Sequence, residues 1–280
     1  MRLAHEIWGE GSLSLVAVHG FTGSHAAWAH LQPRWAPHCR VLAVDLPGHG
    51  ESALNSGTTF ASSVASLLEL VEASGFGGAN LLGYSLGARV ALAAATQAPE
   101  RFSRLILESG SPGLTRRKAR LRRRREDEAL ARSIESGGLQ EFVRRWEALP
   151  LFQSLSALPE TLREGLRARR LAGSVEGLAG SLRVLGVGSQ RNLWPLLPAL
   201  RLPTLLLTGA RDEKFTEIAK RMAAELPSAW RKTFPGVGHA PHLEVPEEYA
   251  AEVLEFLRTP WEAESRHWDF DAQHAEGLNP

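Results

Sequence analysis

Short apolar runs recur along the chain, and each stops at turn-forming residues. Leu13-Ser-Leu-Val-Ala-Val18 ends at His-Gly, Arg40-Val-Leu-Ala-Val44 at Asp-Leu-Pro-Gly, and Asn80-Leu-Leu82 at Gly-Tyr-Ser. Leu105-Ile-Leu107 and Thr204-Leu-Leu-Leu-Thr208 follow, and Trp230 to Phe234 reads as one further strand. The apolar runs lack in-out alternation, as expected of strands covered on both faces of a parallel sheet. Helical spacing occupies Phe60 to Ala73 and Ala88 to Ala98 between them. Repeated strand-helix units of this kind predict an α/β fold, with a mostly parallel central sheet flanked by helices.

The rhythm breaks between about Gly113 and Gln190, a stretch rich in Arg, Leu and Gly with helical spacing and no convincing strand, and it resumes at Thr204. The predicted organisation is a core in two parts, 1–112 and 191–260, interrupted by a helical cap insertion at 113–190. A polar tail at 261–280 follows. Ligands of open α/β sheets bind beyond the carboxyl ends of the strands, so a cap inserted there closes the site.

Composition narrows the classes of function. The chain has 280 residues, 44% hydrophobic and 22% charged, with a net charge of +1, so whole-molecule attraction to nucleic acid or membrane is not implied. Cys39 is the only cysteine, which excludes an intramolecular disulfide and a multi-thiolate zinc site. The amino terminus lacks the apolar core of a signal peptide, and no run reaches the roughly 20 apolar residues of a membrane span. A cytoplasmic protein is expected. The cationic run Arg116 to Arg125 suggests nucleic acid, but balancing acids begin at Glu126-Asp-Glu128 and no stacking motif accompanies it. His5, His25, His30 and His38 have no metal-ligand spacing, so no metal is expected.

Gly83-Tyr-Ser-Leu-Gly87 fits G-x-S-x-G between a predicted strand and a predicted helix, where small flanking residues let a serine occupy a strained, exposed turn. Alone, the pattern is equally a tight turn. An acid, Asp212, follows a later strand, and His239 lies in the glycine-rich loop Pro235-Gly-Val-Gly-His239. Ser85, Asp212, His239 is the chain order of a nucleophile, orienting acid and base on an α/β-hydrolase sheet. The amides of Phe21, in His19-Gly-Phe-Thr-Gly23, and of Leu86 are the candidate oxyanion donors. His242 competes with His239 for the base, but Pro241 marks it as a loop or helix-start residue. Asp45, His19 and His49 are read as loop-ordering groups.

Arg89 stands four residues after Ser85, on nearly the same helix face, in a helix whose other residues are apolar. A buried guanidinium there needs an anion. Together with the arginine-rich insertion, His19-Gly-Phe-Thr-Gly23, Val44-Asp-Leu-Pro-Gly-His-Gly50, Gly83-Tyr-Ser-Leu-Gly-Ala-Arg89, Ser111-Pro-Gly-Leu114 and Gly209-Ala-Arg-Asp-Glu-Lys-Phe215, the chain resembles a family of menaquinone biosynthesis. These are the α/β-hydrolase-fold synthases that form 2-succinyl-6-hydroxy-2,4-cyclohexadiene-1-carboxylate. The resemblance implies Ser85, Asp212 and His239 as triad, Tyr84 and Arg89 as pocket residues, and Arg123, Trp146 and Arg170 as cap contacts. It implies a multiply carboxylated small-molecule substrate, elimination of pyruvate after proton abstraction, and no cofactor. Two alternatives stay open on the residues alone: a carboxylesterase or carbon–carbon bond hydrolase with the same triad, and a noncatalytic ligand receptor. Ala88 departs from the glycine common in the family, and the tail from Trp261 has no counterpart in it.

Overall fold

The computed structural model describes residues 1–260; the predicted tail at 261–280 lies outside the described residues. Among the described residues seven strands form one sheet: β1 (His5–Trp8), β2 (Leu13–Val18), β3 (Cys39–Val44), β4 (Ala79–Tyr84), β5 (Phe102–Glu108), β6 (Thr204–Gly209) and β7 (Ala229–Phe234). Their order is β1-β3-β2-β4-β5-β6-β7, with β1 antiparallel to β3 and every other pairing parallel. The apolar runs predicted as strands all lie in this sheet. The pattern missed β1, an edge strand with three of its four residues exposed, whose sequence carries no buried run to detect.

The helices are α1 (Gln32–Trp35), α2 (Phe60–Ala73), α3 (Leu86–Gln97), α4 (Arg117–Glu147), α5 (Glu160–Leu171), α6 (Val175–Leu185), α7 (Glu213–Glu225), α8 (Pro241–Glu244) and α9 (Pro246–Arg258). Alternate residues of each central strand feed two cores. Val16, Val18, Leu81, Leu105 and Leu206 pack with α2 and α3 on one face. Leu15, Ala17, Leu82, Ile106 and Leu205 pack with Trp28, Trp35, Tyr249 and Val253 on the other. Burial on both faces is why the strand sequences show no alternation. α2 starts at a capping box in which the side chains of Thr59 and Ser62 each accept the other's backbone N–H. α3 starts at Leu86, directly after Ser85 and earlier than the predicted Ala88.

Between β5 and β6 the chain builds α4, α5 and α6, which have an apolar centre of their own around Ala131, Ile134, Phe142, Val143, Leu178 and Leu182. α4 is interrupted at Gly138, whose φ of 73° and ψ of 175° leave the helical region; only glycine takes that conformation cheaply. Arg183 of α6 clasps α4 through Glu128 (2.8 Å) and Glu135 (2.5 Å). Among the described residues, no helix is long and apolar enough to cross a membrane.

Candidate active site

Ser85 sits between β4 and α3 with φ 52° and ψ −103°, a region that side chains rarely adopt. The surroundings enforce it. A Cβ on Gly83 would lie 2.4 Å from the Gly87 carbonyl oxygen, and one on Gly87 would lie 2.1 Å from that of Val18. Both flanking positions therefore exclude any side chain, which is the steric content of the motif. The turn is anchored on the neighbouring strand, where the Ser85 N–H donates to the Glu108 carbonyl at 2.8 Å.

β6 and β7 run side by side and deliver the other two groups to this turn. His239 Nε2 lies 3.0 Å from Ser85 Oγ, and its Nδ1 lies 2.5 Å from Asp212 Oδ2. Asp212 also caps α7, its Oδ1 accepting the Phe215 N–H at 3.3 Å. With both carboxylate oxygens engaged, it fixes the imidazole with Nδ1–H toward the acid and Nε2 free to accept the serine proton. His239 is buried, ringed by Phe215, Tyr84 and Phe152 at centroid distances of 4.8, 5.5 and 5.8 Å. Ser109 Oγ holds its carbonyl at 2.9 Å.

The competing histidines are engaged elsewhere. His242, at the start of α8, directs Nδ1 to Glu108 Oε1 at 2.7 Å. His19 accepts the Leu46 N–H on Nε2 at 3.0 Å and meets the Gly20 carbonyl through Nδ1 at 2.7 Å. Burial lowers His19 to about 4 and His49 to about 3, so both are neutral at pH 7. Asp45 accepts the N–H groups of His25 and Glu51. These groups order the loops, as read from sequence. The turn Gly20–Gly23 is closed by the Gly23 N–H on the Gly20 carbonyl at 3.0 Å, with Thr22 at φ 69°, and it brings Phe21 to the cavity wall. Leu86, the first residue of α3, has no intrahelical acceptor for its N–H.

A cavity of about 430 Å³ opens above Ser85 and His239, lined also by Phe21, Leu86, Arg89, Arg123 and Trp146, a size ordinary for a small-molecule site. Arg89 is 8% exposed and donates through Nη1 to the Leu185 carbonyl at 2.8 Å. Burial and then Arg123 push its guanidinium down to about 9, with Asp127 acting in the opposite direction. Of the eight cations in the α4 run, Arg122 and Arg123 line the cavity; Arg124 instead holds the Gly188 carbonyl at 3.0 Å. Tyr84 and Arg170 line an adjoining space that also reaches Ser85. Arg170 is bound to Glu147 at 2.9 Å, so it does not join Arg89 and Arg123. Trp146 packs on Phe21 and Phe152, both at 5.3 Å. Sequence reasoning missed Asp127, a buried acid bound to Arg123 at 2.7 Å and near enough to act on Arg89. Its signal was the i,i+4 spacing from Arg123.

A mostly parallel sheet, a serine on a strained strand-helix turn and a hydrogen-bonded Ser-His-Asp set delivered in that topology define an α/β hydrolase. The alpha/beta hydrolase family model accordingly matches residues 15–252. The chain is 32% identical over 247 residues to the 2-succinyl-6-hydroxy-2,4-cyclohexadiene-1-carboxylate synthase of Serratia proteamaculans, covering 88% of this chain and 93% of that one. It is 39% identical over 249 residues to a Bacillus subtilis protein provisionally given the same name, covering 88% and 90%. The structure of MenH from S. aureus superposes with a TM-score of 0.87 at 36% identity, over 90% of this chain and 97% of that one. A thermophilic esterase from Thermogutta terrifontis, determined with malate bound, gives 0.80 at 30% identity, over 91% and 93%. The chain belongs to the 2-succinyl-6-hydroxy-2,4-cyclohexadiene-1-carboxylate synthase family.

Proposed function

We propose that this protein is the synthase of its family: a cytoplasmic lyase of menaquinone biosynthesis that eliminates pyruvate from 2-succinyl-5-enolpyruvyl-6-hydroxy-3-cyclohexene-1-carboxylate. The observation that carries the reading is the shared cavity of Ser85, His239, Arg89 and Arg123. A neutral ester has no use for a buried guanidinium, whereas a tricarboxylate does. Contacts with substrate are assigned to Tyr84 at the end of β4 and, from the cap, to Trp146 and, once freed from Glu147, Arg170.

In this mechanism His239 takes the Ser85 proton, and the serine oxygen removes the ring proton next to the succinyl carbonyl. The electron pair moves onto that carbonyl oxygen, where the amides of Phe21 and Leu86 meet the negative charge; one such donor is worth about 3 kcal/mol. As the carbonyl re-forms, the ring gains its second double bond and the carbon–oxygen bond to the enolpyruvyl group breaks. The released enolate is protonated to pyruvate. No acyl-enzyme forms. The arginines hold the ring so that the reacting hydrogen faces Ser85, an orienting effect that enters the barrier directly.

The malate-bound esterase among the structural relatives makes ester hydrolysis the reading to test against. Purified protein is offered the enolpyruvyl substrate, with pyruvate followed by a coupled dehydrogenase, and short-chain nitrophenyl esters in parallel. Pyruvate release lost in Ser85→Ala and in Asp212→Asn is expected. Ester turnover without any pyruvate would reverse the assignment.

A further inference from the structure

We propose that Asp127 sets the charge and the aim of the carboxylate subsite, making it a specificity-determining residue of the reaction assigned above, on which the inference rests. Asp127 lies on α4 and is 3% exposed. Its Oδ1 accepts the Arg123 Nε–H at 2.7 Å, and its Oδ2 accepts the Gly188 N–H at 3.4 Å. A Cβ on Gly186 would stand 2.4 Å from Oδ2, so the glycine leaves room for the carboxylate. The preceding residue, Leu185, supplies the carbonyl that holds Arg89. One acid thus ties α4, which bears Arg123, to the turn directly after α6, whose last residue, Leu185, holds Arg89.

Each guanidinium is pinned by one N–H, Nε of Arg123 and Nη1 of Arg89. Their remaining N–H groups have no partner among the described residues. Two pinned forks and one acid leave a single net positive charge at this corner of the cavity. The other charged wall residues do not cancel it. Arg122 and Glu126 face each other at 3.5 Å at the exposed rim. Lys214, on α7, lies over the Phe215 ring and adds positive charge from a different wall. A single carboxylate matches this corner, whereas a compact dianion meets Asp127 with its second charge. Rejection through a built-in like charge is a recognised route to selectivity.

The test is a binding measurement by calorimetry with two probes, sodium propionate and sodium sulfate. The protein is compared with Asp127→Asn, whose single amide oxygen can still accept the Arg123 Nε–H in place of Oδ1, while its NH2 group takes the place of Oδ2 and gives up only the longer contact with the Gly188 N–H. Coulombic gain scales with ligand charge, so affinity should rise about threefold for propionate and about tenfold for sulfate. Arg89→Gln should abolish the response of both probes, which locates binding at this corner. Arg123→Gln should weaken propionate, and Arg123→Gln combined with Asp127→Asn, which restores the net charge, should recover it to within about threefold. That double variant decides the matter if Asp127→Asn does not fold. Equal changes for the two probes, or a double variant no better than Arg123→Gln, overturn the proposal. Turnover is measured separately: absence of pyruvate release from the unaltered protein would defeat the assigned reaction, while the propionate-to-sulfate ratio would still decide the role of Asp127.

Discussion

Replacing Arg89 with methionine separates what this residue does for stability from what it does for binding. In the ligand-free protein, burial and the nearby Arg123 press the guanidinium from its ordinary range down to about 9. A displacement of that size corresponds to roughly 5 kcal/mol of opposition to the charge, and the group is still charged at neutral pH. Methionine keeps the length and apolar stem, removes the charge and gives up the N–H to Leu185. Leaving that carbonyl unpaired costs about 1 to 3 kcal/mol, so Arg89→Met should stabilise the empty protein by about 2 to 4 kcal/mol. At about 2 to 4 °C for each kcal/mol in a chain of this size, Tm should rise by roughly 5 to 15 °C. The substrate, in contrast, loses the partner of a desolvated carboxylate, an effect of about 2 to 5 kcal/mol or at least about 30-fold in KM. Scanning calorimetry without ligand and steady-state pyruvate release measure the two sides. A variant that melts lower than the parent while keeping its KM would refute the claim that this charge is held against the fold for the sake of an anion.

Further outcomes follow from the geometry. Ser85→Gly should abolish turnover and raise Tm by a few degrees, because glycine relieves a backbone conformation costing about 1 to 3 kcal/mol; unchanged melting would mean the turn is unstrained. Gly87→Ala should yield little soluble protein or a melting temperature at least about 5 °C lower, since its Cβ would have to displace the Val18 carbonyl; circular dichroism melts check this. Acid should destabilise the fold between about pH 6.5 and 4. His19 is held neutral by burial and binds its proton only at about 4, so over that window the unfolded chain takes up more protons, worth up to about 3 kcal/mol. Urea midpoints across this range should therefore fall with pH, and less steeply in His19→Asn.

The hydrogen-bonded arrangement of Ser85, His239 and Asp212 was legible in the sequence because its requirements are local and steric: a glycine on each side of Ser85, then an acid and a histidine directly after later strands. The sheet was legible for a related reason, since runs such as Thr204 to Thr208 are buried on both faces. What escaped was decided by tertiary contact. β1 is an edge strand whose exposed residues leave no periodic trace. That Arg122 and Arg123 reach the cavity while Arg124 does not depended on which side of α4 turned toward Ser85, and eight cations in ten positions blur any helical period. Arg170 matched a family position, yet its guanidinium is bound to Glu147, a partner 23 residues away that no local pattern reveals. Asp127 was passed over as one of three acids balancing a basic run.

The separate apolar centre of α4 and α6 bears on how such molecules diverge. Ile134, Phe142 and Leu178 pack chiefly on one another, and the cluster reaches the site through Phe21, which meets the Phe142 ring at 6.1 Å, rather than through the strands that present Ser85, Asp212 and His239. Changes in the cap's apolar centre can therefore reshape the cavity wall at Phe21 and Trp146 while the strands and turns that carry Ser85, Asp212 and His239 keep their own packing.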